Sequence, residues 1–229
     1  MKLSIIIPAY NEENTIETVV NAVKAVSLPK NMEKEIIIVN DGSSDKTAQI
    51  LAQYANDPII KIYHQENMGK TAALNEGIKD ATGDIILVQD ADLEYCPDHY
   101  PMLVEPILNG ETNVVYGSRF LGTIKDMKFI NRFANISSNI VFNLLFGTKI
   151  TDINTCYKAF KKDVIKSITI ESTDFTFETE VTSKLINRGE KIIEIPIDYV
   201  ARSKEQGKKI NWGKAWKMFW GMIKYKNKT

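Results

Sequence analysis

The chain has 229 residues, of which 44% are hydrophobic and 25% charged, so its composition is that of a globular protein with a sizeable core. Its formal net charge is zero, yet nine of the 29 basic residues and one of the 29 acidic ones lie in 202–229, which leaves 20 basic and 28 acidic residues elsewhere. A basic end on an otherwise acidic chain favours a local anionic partner and argues against a nucleic acid wrapped around the whole protein.

The cysteines and the apolar runs predict a compartment. Two cysteines, Cys96 and Cys156, are too few for a disulfide framework, which favours a reducing cytosol. The apolar run at 3–7 is shorter than a signal sequence requires and stops at Pro8. Because no apolar run approaches the ~20 residues of a membrane span, we expect a cytoplasmic protein without spanning segments.

Short apolar runs alternate with helical segments along the first part of the chain. The runs predict strands at 2–7, 35–39, 59–63 and 84–88. Helices are expected after Asn11, from a cap at Ser44 or Asp45 to Tyr54, and at 70–81, where Gly83 follows. Strands rich in Val and Ile without alternation, separated by helices, predict an α/β protein whose mostly parallel sheet is covered on both faces.

Polar segments follow three of these predicted strands, at 8–12, 40–45 and 90–94. In parallel sheets, ligands bind beyond the carboxyl ends of the strands. All three segments lie at that edge, so the sequence predicts a single cleft there.

Asp90, Asp92 and Glu94 stand at alternate positions after the last of these strands. In extended backbone, residues i, i+2 and i+4 point to one face, so we expect the three carboxylates to converge. Three such oxygen donors suit a hard divalent cation such as Mg²⁺ or Mn²⁺. A cation of this kind in turn suits a diphosphate leaving group.

Two later segments predict amphipathic helices. The helix 131–146 carries a wide apolar stripe of Phe133, Ile136, Ile140, Val141, Leu144 and Leu145, with Phe142 and Phe146 off that face. A tail helix from Trp212 carries Trp212, Trp216, Phe219, Trp220 and Ile223 along one side and lysines elsewhere. Aromatic anchors with a basic surface are typical of helices at anionic lipid surfaces. Packing of the tail helix on the protein's own core or in a dimer is an equally strong expectation.

Several segments in a fixed order carry a family resemblance. They are PAYNE (8–12), VNDGSSDKT (39–47), NMGKTAALNEGI (67–78), QDADLEY (89–95) and YGSRF (116–120), with DINTCYKAF (152–160), FETEV (177–181) and IPIDYVAR (195–202) after them. Together they resemble family-two glycosyltransferases of the GT-A fold, and most of all the polyprenyl-phosphate hexosyltransferases of the dolichol-phosphate mannose synthase kind. The resemblance implies a GT-A catalytic domain at 1–201 and a basic, aromatic-rich extension at 202–229.

The resemblance also implies roles for individual residues. The nucleotide would contact Pro8, Ala9, Tyr10, Glu12, Asp41, Lys70 and Asp90, with Asp41 at the base edge and Lys70 near a phosphate. Asp90, Asp92 and Glu94 would bind Mg²⁺ or Mn²⁺. Family members often carry glutamine in place of Glu94, and the extra charge here would hold the cation more firmly. Catalysis would rest on Asp92 and on three arginines that grip the acceptor phosphate: Arg119, Arg132 and Arg202.

The implied reaction transfers a hexose, mannose or glucose, from a GDP- or UDP-sugar to a dolichyl or undecaprenyl phosphate, with inversion. A phosphate monoester with a second pKa of ~6 is mostly dianionic at neutral pH, so it needs no side-chain base. The metal and the arginines would screen the two anions. The enzyme would lie peripherally at the cytoplasmic face of a membrane, alone or docked on an integral membrane partner.

Two alternatives remain. A glycosyltransferase acting on a saccharide hydroxyl would need a carboxylate base, for which Glu178 and Glu180 are the candidates. A membrane-peripheral module that binds nucleotide sugars without turnover is the other alternative. The intact set of Asp90, Asp92 and Glu94 argues against it, since a binding module has little need of a full metal site.

Overall fold

The computed structural model of this protein describes residues 1–172, 176–202 and 212–228, the stretch 212–218 by its backbone alone. Its strands are β1 (Lys2–Ala9), β2 (Glu33–Asp41), β3 (Ile60–Gln65), β4 (Ile85–Val88), β5 (Val114–Ser118), β6 (Ile124–Lys125), β7 (Lys158–Lys161), β8 (Ile192–Pro196) and β9 (Tyr199–Val200). Its helices are α1 (Ile16–Ala25), α2 (Thr47–Ala52), α3 (Lys70–Asp80), α4 (Tyr100–Leu108), α5 (Phe129–Phe146), α6 (Lys162–Lys166), α7 (Phe177–Asn187) and α8 (Trp212–Tyr225).

Seven strands form the central sheet in the order β3-β2-β1-β4-β7-β5-β8. β7 runs antiparallel to both of its neighbours, and every other pair in this sheet is parallel. Ile5 in β1 lies opposite Ile36 in β2 and Leu87 in β4. The predicted mostly parallel α/β sheet is therefore confirmed. A separate two-stranded sheet pairs β6 with β9.

The sheet is buried on both faces, which explains its uninterrupted isoleucine runs. Successive strand residues point to opposite faces, so Ile5 joins one apolar cluster and Ile6 joins the other. In α3, Gly77 packs so closely on β1 that a Cβ there would overlap the Cγ2 atom of Ile6. The missing side chain lets the helix lie directly on the sheet.

The strand ends lie further along the chain than the apolar runs predict. β1 extends to Ala9 and β2 to Asp41, so part of each polar segment is strand and not loop. α2 ends at Ala52, before the predicted Tyr54. Its N-cap residue is Lys46, which makes no side-chain capping bond, so the predicted cap at Ser44 or Asp45 is wrong. Asp45 instead forms a local turn, in which its Oδ1 accepts a hydrogen bond from the amide of Thr47 at 2.9 Å.

The predicted long helix forms as α5, and the structure separates its apolar residues into a buried side and an exposed side. The off-stripe residue Phe142 is fully buried, and its ring stacks on Phe146 with centroids 4.3 Å apart. The outer side remains exposed along the helix and consists of Phe129, Ile130, Phe133, Ile136, Ile140 and Leu144. Within the described part of the chain, we find no helix long and apolar enough to cross a membrane.

The end of α8 packs on the rest of the protein. Met222 and Tyr225 are buried, whereas Trp220 and Ile223 are 62% and 61% exposed. The side-chain amide of Asn187, at the end of α7, donates to the carbonyl oxygens of Tyr225 and Lys228. The predicted apolar side of this helix is thus partly covered and partly open. The side chains of Trp212 and Trp216, and residues 203–211 of the predicted extension, lie outside the described residues.

Candidate active site

The loops that follow β1 and β2 hold each other in place. The backbone amide of Asn11 donates to Ser43 Oγ at 3.0 Å, and Asn11 Oδ1 accepts from the amide of Ser44 at 2.8 Å. Asn11 has a φ of 56°, a left-handed conformation that asparagine tolerates. The amide of Glu12 donates to Thr47 Oγ1 at 2.9 Å. These bonds fix the two predicted nucleotide segments side by side at the carboxyl edge of the sheet.

The predicted nucleotide residues occupy different environments at this edge. Tyr10 is 49% exposed, whereas Asp41 is buried. Asp41 Oδ1 accepts from Gln65 Nε2 at 2.7 Å and from the amide of Met68 at 2.9 Å, and Oδ2 accepts from the amide of Gly69 at 2.8 Å. In this arrangement Asp41 shapes the loop that leads into α3. Its predicted contact with the base edge remains a prediction, as do those of Pro8 and Ala9 at the end of β1.

Lys70, the first residue of α3, lies among acidic and thiol groups. Its Nζ is 2.8 Å from Asp90 Oδ1, 3.3 Å from Glu178 Oε1 and 3.1 Å from Cys156 Sγ. Burial lowers the pKa of Lys70, but Asp90, Cys156 and Glu178 together outweigh burial and raise the pKa well above the ordinary lysine value. The side chain is therefore a fixed positive charge at the predicted phosphate position.

The backbone after β4 is not extended, so the predicted geometry of the acidic segment is wrong. The strand ends at Val88, and residues 91–94 form a bend. Asp92 Oδ1 accepts a hydrogen bond from the amide of Glu94 at 2.9 Å, a local turn that aspartate favours. Gln89 is anchored inside the protein, where its Oε1 accepts from the hydroxyls of Tyr100 and Tyr157. Local side-chain bonds thus override the alternation expected of a strand.

The acidic groups nevertheless lie close together. Burial, and after it the charges of Asp90 and Glu94, raise the pKa of Asp92 to about 7. Arg202 closes the cluster: its Nη2 is 2.7 Å from Asp92 Oδ2 and its Nη1 is 3.3 Å from Glu12 Oε1. The backbone amide of Arg202 donates to Glu94 Oε1 at 2.9 Å. A predicted acceptor-binding arginine therefore pairs with the predicted metal ligands.

The chemistry of these groups fits a hard cation. Asp90, Asp92 and Glu94 offer crowded carboxylate oxygens, one of them with a raised pKa, and a divalent ion would relieve their repulsion. No three acidic, imidazole or thiol groups in the described ranges are arranged as a ready ligand set. Lys70 and Arg202 instead contact carboxylate oxygens of Asp90 and Asp92. The ligand assignment stays a prediction.

Arg119 and Arg132 differ in what they contact. Arg119 is buried, and its Nε and Nη2 donate to the carboxylate of Asp152 at 2.7 and 2.8 Å. Its guanidinium carbon lies 5.1 Å from the ring centroid of Tyr199. These contacts describe a structural pair and lend no support to the predicted grip on an acceptor phosphate. Arg132 is exposed on α5, and its contact with an acceptor phosphate stays a prediction.

Lys158 is a buried charge that the sequence reasoning missed. Its Nζ donates to the carbonyl oxygens of Ile153 and Thr155 at 2.9 and 2.8 Å and lies 3.8 Å from the ring centroid of Tyr116. Burial lowers the pKa of Lys158 to about 8. The ammonium group thus holds the loop at 152–157 that carries Asp152 and Cys156. The lysine between Tyr157 and the apolar pair at 159–160 is the signal that could have revealed it.

The two candidate bases, Glu178 and Glu180, lie in different surroundings. Glu180 is fully buried, 2.9 Å from Lys184 Nζ, and accepts from the backbone amides of Glu171 and Ser172. It is a structural group and is not placed to receive a substrate proton. Glu178 is 13% exposed and lies beside the lysine at the start of α3.

Amide side chains on the inner face of α5 attach this helix to the site. Asn139 Oδ1 accepts from the amide of Ile153 at 3.1 Å, and Asn154 Nδ2 donates to Asn135 Oδ1 at 3.1 Å. The same loop continues to Cys156, whose thiol contacts the lysine at the start of α3. The exposed apolar side of α5 therefore belongs to a helix that is bonded directly to a wall of the site.

Solved structures with the same architecture include glucosyl-3-phosphoglycerate synthase from Mycobacterium tuberculosis. Its complex with Mn²⁺, UDP-glucose and phosphoglyceric acid matches 98% of this chain and 78% of that chain, with a TM-score of 0.74 and 18% identity. The complex with Mg²⁺ and UDP has a TM-score of 0.72, also at 18% identity. At this identity the likeness shows the fold alone, and it confirms the expected GT-A fold.

Three relatives extend the comparison. A dolichol-phosphate mannosyltransferase of Pyrococcus furiosus is 28% identical over 214 residues, which cover 91% of this chain and 59% of that protein. A UDP-N-acetylglucosamine–dolichyl-phosphate N-acetylglucosaminyltransferase of Methanococcus voltae is 29% identical over 243 residues, which cover 97% of this chain and 95% of that protein. An undecaprenyl-phosphate 4-deoxy-4-formamido-L-arabinose transferase of Pectobacterium carotovorum is 29% identical over 72% of this chain, which spans half of that protein.

The family model "Glycosyl transferase family 2" matches residues 4–169, which is more than half of the chain and includes the loops after β1, β2 and β4. This protein belongs to glycosyl transferase family 2.

Proposed function

We propose that this protein is an inverting, metal-dependent glycosyltransferase that moves a hexose from a nucleotide sugar to a polyprenyl phosphate. The observation that carries the proposal is the position of α5. Its inner amides bond to the loop at the acidic site, while its outer side exposes large apolar residues. A water-soluble acceptor gives no reason for an apolar surface beside the reaction centre, whereas a prenyl chain does.

The names of the relatives support the same class of acceptor. Two of them combine a sugar with a dolichol or dolichyl phosphate, and one combines a sugar with an undecaprenyl phosphate. The named sugars differ among the three, so the acceptor is the common element. We therefore propose a dolichyl or undecaprenyl phosphate here, with mannose or glucose carried on GDP or UDP.

The donor would bind beyond the carboxyl ends of β1 and β2. Tyr10 is exposed there, and Asp41 fixes the loop that delivers Lys70. The ammonium group of Lys70 would face the diphosphate, since this residue begins α3 at the same edge. Asp90, Asp92 and Glu94 would hold Mg²⁺ or Mn²⁺, which when bound would neutralise the charge that develops on the leaving nucleoside diphosphate.

The acceptor phosphate would attack the anomeric carbon in line with the leaving group. Its oxygen forms a bond to that carbon as the carbon–oxygen bond to the diphosphate breaks, so the configuration inverts. Arg202 and Arg132 would screen the incoming dianion. A hydroxyl acceptor would need a base, yet Glu180 is ion-paired and buried, and Glu178 lies beside a lysine.

The outer side of α5 would meet the membrane that contains the acceptor. From Phe129 to Leu144 this side runs for roughly 22 Å at ~1.5 Å per residue. The exposed basic residues Lys125, Lys128 and Arg132 lie at its beginning. Each such charge near an anionic surface is worth ~1 kcal/mol, which favours peripheral attachment to the cytoplasmic leaflet, alone or beside an integral membrane partner.

A transfer assay tests the proposal. Radiolabelled GDP-mannose, UDP-glucose and UDP-N-acetylglucosamine would each be incubated with a polyprenyl phosphate in detergent and with Mn²⁺ or Mg²⁺. We expect label in the organic phase with one donor, and none with the Asp92→Asn variant. Nucleotide release without a lipid product would replace the proposal with a hydroxyl acceptor. Absence of release with every donor would favour the binding module.

A further inference from the structure

Arg202 sits where a divalent ion would contact the carboxylates. Its Nη2 is 2.7 Å from Asp92 Oδ2, and its Nε is 3.8 Å from Glu94 Oε1. The Asp92 side chain is only 6% exposed, and that of Arg202 is 23% exposed. The side chain of Arg202 is thus more exposed to solvent than the carboxylate that it contacts.

The segment that carries this arginine is fastened to the same cluster. The hydroxyl of Tyr199 donates to Glu94 Oε2 at 2.9 Å, and the amide of Arg202 donates to Glu94 Oε1 at 2.9 Å. The amide of Val200 donates to the carbonyl oxygen of Glu94 at 3.2 Å. Both carboxylate oxygens of Glu94 therefore accept bonds from the segment 199–202. A cation that uses Glu94 must exchange some of these bonds for its own.

The attachment of Arg202 is looser than that of the other buried arginine. Arg119 forms a two-pronged pair with a single carboxylate, through Nε at 2.7 Å and Nη2 at 2.8 Å. Arg202 spreads its contacts over Asp92, Glu12 and Glu94, and its buried Nε, 3.8 Å from Glu94 Oε1, has no hydrogen-bond partner among the described residues. Two-pronged pairs are the strong ones, so Arg202 is held well enough to occupy the cluster and weakly enough to leave it.

We propose that Arg202 is an internal counter-cation that competes with the divalent metal for Asp92 and Glu94, and that metal binding releases its guanidinium group. A guanidinium group and a divalent ion at the same oxygens repel each other at such short range, so contact with one weakens contact with the other. Resting on the proposed function, the released group is then free for the acceptor phosphate. Metal binding thereby precedes acceptor binding.

The test measures metal binding alone. Mn²⁺ is titrated into the wild-type chain, Arg202→Met, Arg202→Lys and the control Arg188→Met, and free Mn²⁺ is followed by electron paramagnetic resonance. Arg188 is exposed at the end of α7 and bonds Ser167, so its variant removes one positive charge far from the cluster. We expect Arg202→Met to bind Mn²⁺ about tenfold more tightly than wild type, the factor that about 1.4 kcal/mol produces. Arg202→Lys should fall between them, and Arg188→Met should match wild type.

Equal or weaker Mn²⁺ binding by Arg202→Met, or no binding by it at millimolar Mn²⁺, would overturn the proposal. A second measurement needs no variant: hydrogen exchange at the amides of Val200 and Arg202 in the wild-type chain should quicken when Mn²⁺ is added. Unchanged or slower exchange there contradicts the release of the arginine. Neither experiment uses donor or acceptor, so the competition stands or falls separately from the transfer to a polyprenyl phosphate.

Discussion

The guanidinium group of Arg119 grips both carboxylate oxygens of Asp152, at 2.7 and 2.8 Å, in a pair whose side chains are 7% and 0% exposed. The amide of Arg119 donates to the same carboxylate at 3.0 Å. The pair connects the end of β5 with the loop before β7. Its burial and geometry make it part of the framework that supports the site.

Substitution Asp152→Asn should therefore destabilise the protein strongly. It leaves the guanidinium group of Arg119 buried without a counter-charge, which typically costs about 3–5 kcal/mol. Urea unfolding measures the loss. The control is Lys228→Met, which removes an ion pair of 2.7 Å between side chains that are 43% and 37% exposed. A pair as exposed as this is worth at most ~1 kcal/mol, so equal losses in the two variants would contradict a framework role for Asp152.

Glu35 predicts a pH dependence of stability. Burial raises the pKa of this carboxyl, but hydrogen bonds from Ser4, Lys2 and Thr82 outweigh burial and lower the pKa to about 2. Since the folded pKa lies below the unfolded one, the stabilisation is complete above the unfolded value and is lost as the pH falls toward about 2. Glu35→Gln should cost about 2–3 kcal/mol of unfolding free energy at neutral pH.

The same experiment at acidic pH provides the check. Unfolding of wild type and Glu35→Gln would be compared at neutral pH and again below the unfolded pKa. The difference between the two proteins should shrink in acid, because protonation removes the charge that the hydrogen bonds stabilise. A difference that stays constant with pH would show that Glu35 acts through packing alone.

Lys158 predicts a pH dependence of the same sign at the alkaline end. Burial lowers its pKa to about 8 from the ordinary 10.5, so the unfolded chain holds its proton more tightly between these values. Relative to Lys158→Met, wild type should gain stability as the pH rises through this window, by roughly 1 kcal/mol per pH unit. Chemical unfolding of both proteins at several alkaline pH values measures this gain, and parallel pH profiles would refute it.

The outer side of α5 predicts binding to lipid vesicles. Phe133→Ser combined with Ile140→Ser removes two residues that are 59% and 54% exposed, with little expected change in folding. The affinity for vesicles that contain anionic lipid, measured by co-sedimentation, should fall at least about tenfold, since each side chain contributes at least about 1 kcal/mol of apolar burial. Met102→Ser, at a position 43% exposed on α4, is the matched control. Equal loss in the control, or no loss in the double variant, would leave α5 without a lipid role.

The sheet was predictable because its strands are buried on both faces. Apolar runs such as 35–39, separated by helical segments, are typical of such strands, and the polar segments after β1, β2 and β4 lie at its predicted binding edge. β7 was not predictable in this way. It is short and has a lysine at each end, Lys158 and Lys161, so its sequence shows no apolar run.

The acidic segment shows where periodicity fails. Alternation of Asp90, Asp92 and Glu94 predicts one face, but the bond from the amide of Glu94 to Asp92 bends the chain. The pairing of Arg202 with Glu12 joins residues 190 positions apart, and no local pattern encodes such a contact. The residue types of the site were accessible from the sequence, whereas the partners of its charges required the fold.

For α5, spacing could not decide which apolar side faces the protein, because both sides are apolar. The decision depends on Asn139 and Asn143, whose side chains bond backbone groups of the loop at 150–153. Those amides turn Phe142 inward and leave Phe133 outside. Polar residues within an apolar helix were the informative positions.

Gly77 influences the geometry of the acidic site from a distance, through the position of α3 on the sheet. α3 rests on β1 at a separation that only a hydrogen atom at position 77 permits, and any larger group would lift the helix away from Ile6. Lys70 begins the same helix two turns earlier, so its ammonium group would move with it. The 2.8 Å contact between Lys70 Nζ and Asp90 Oδ1 therefore depends in part on how closely α3 packs on β1.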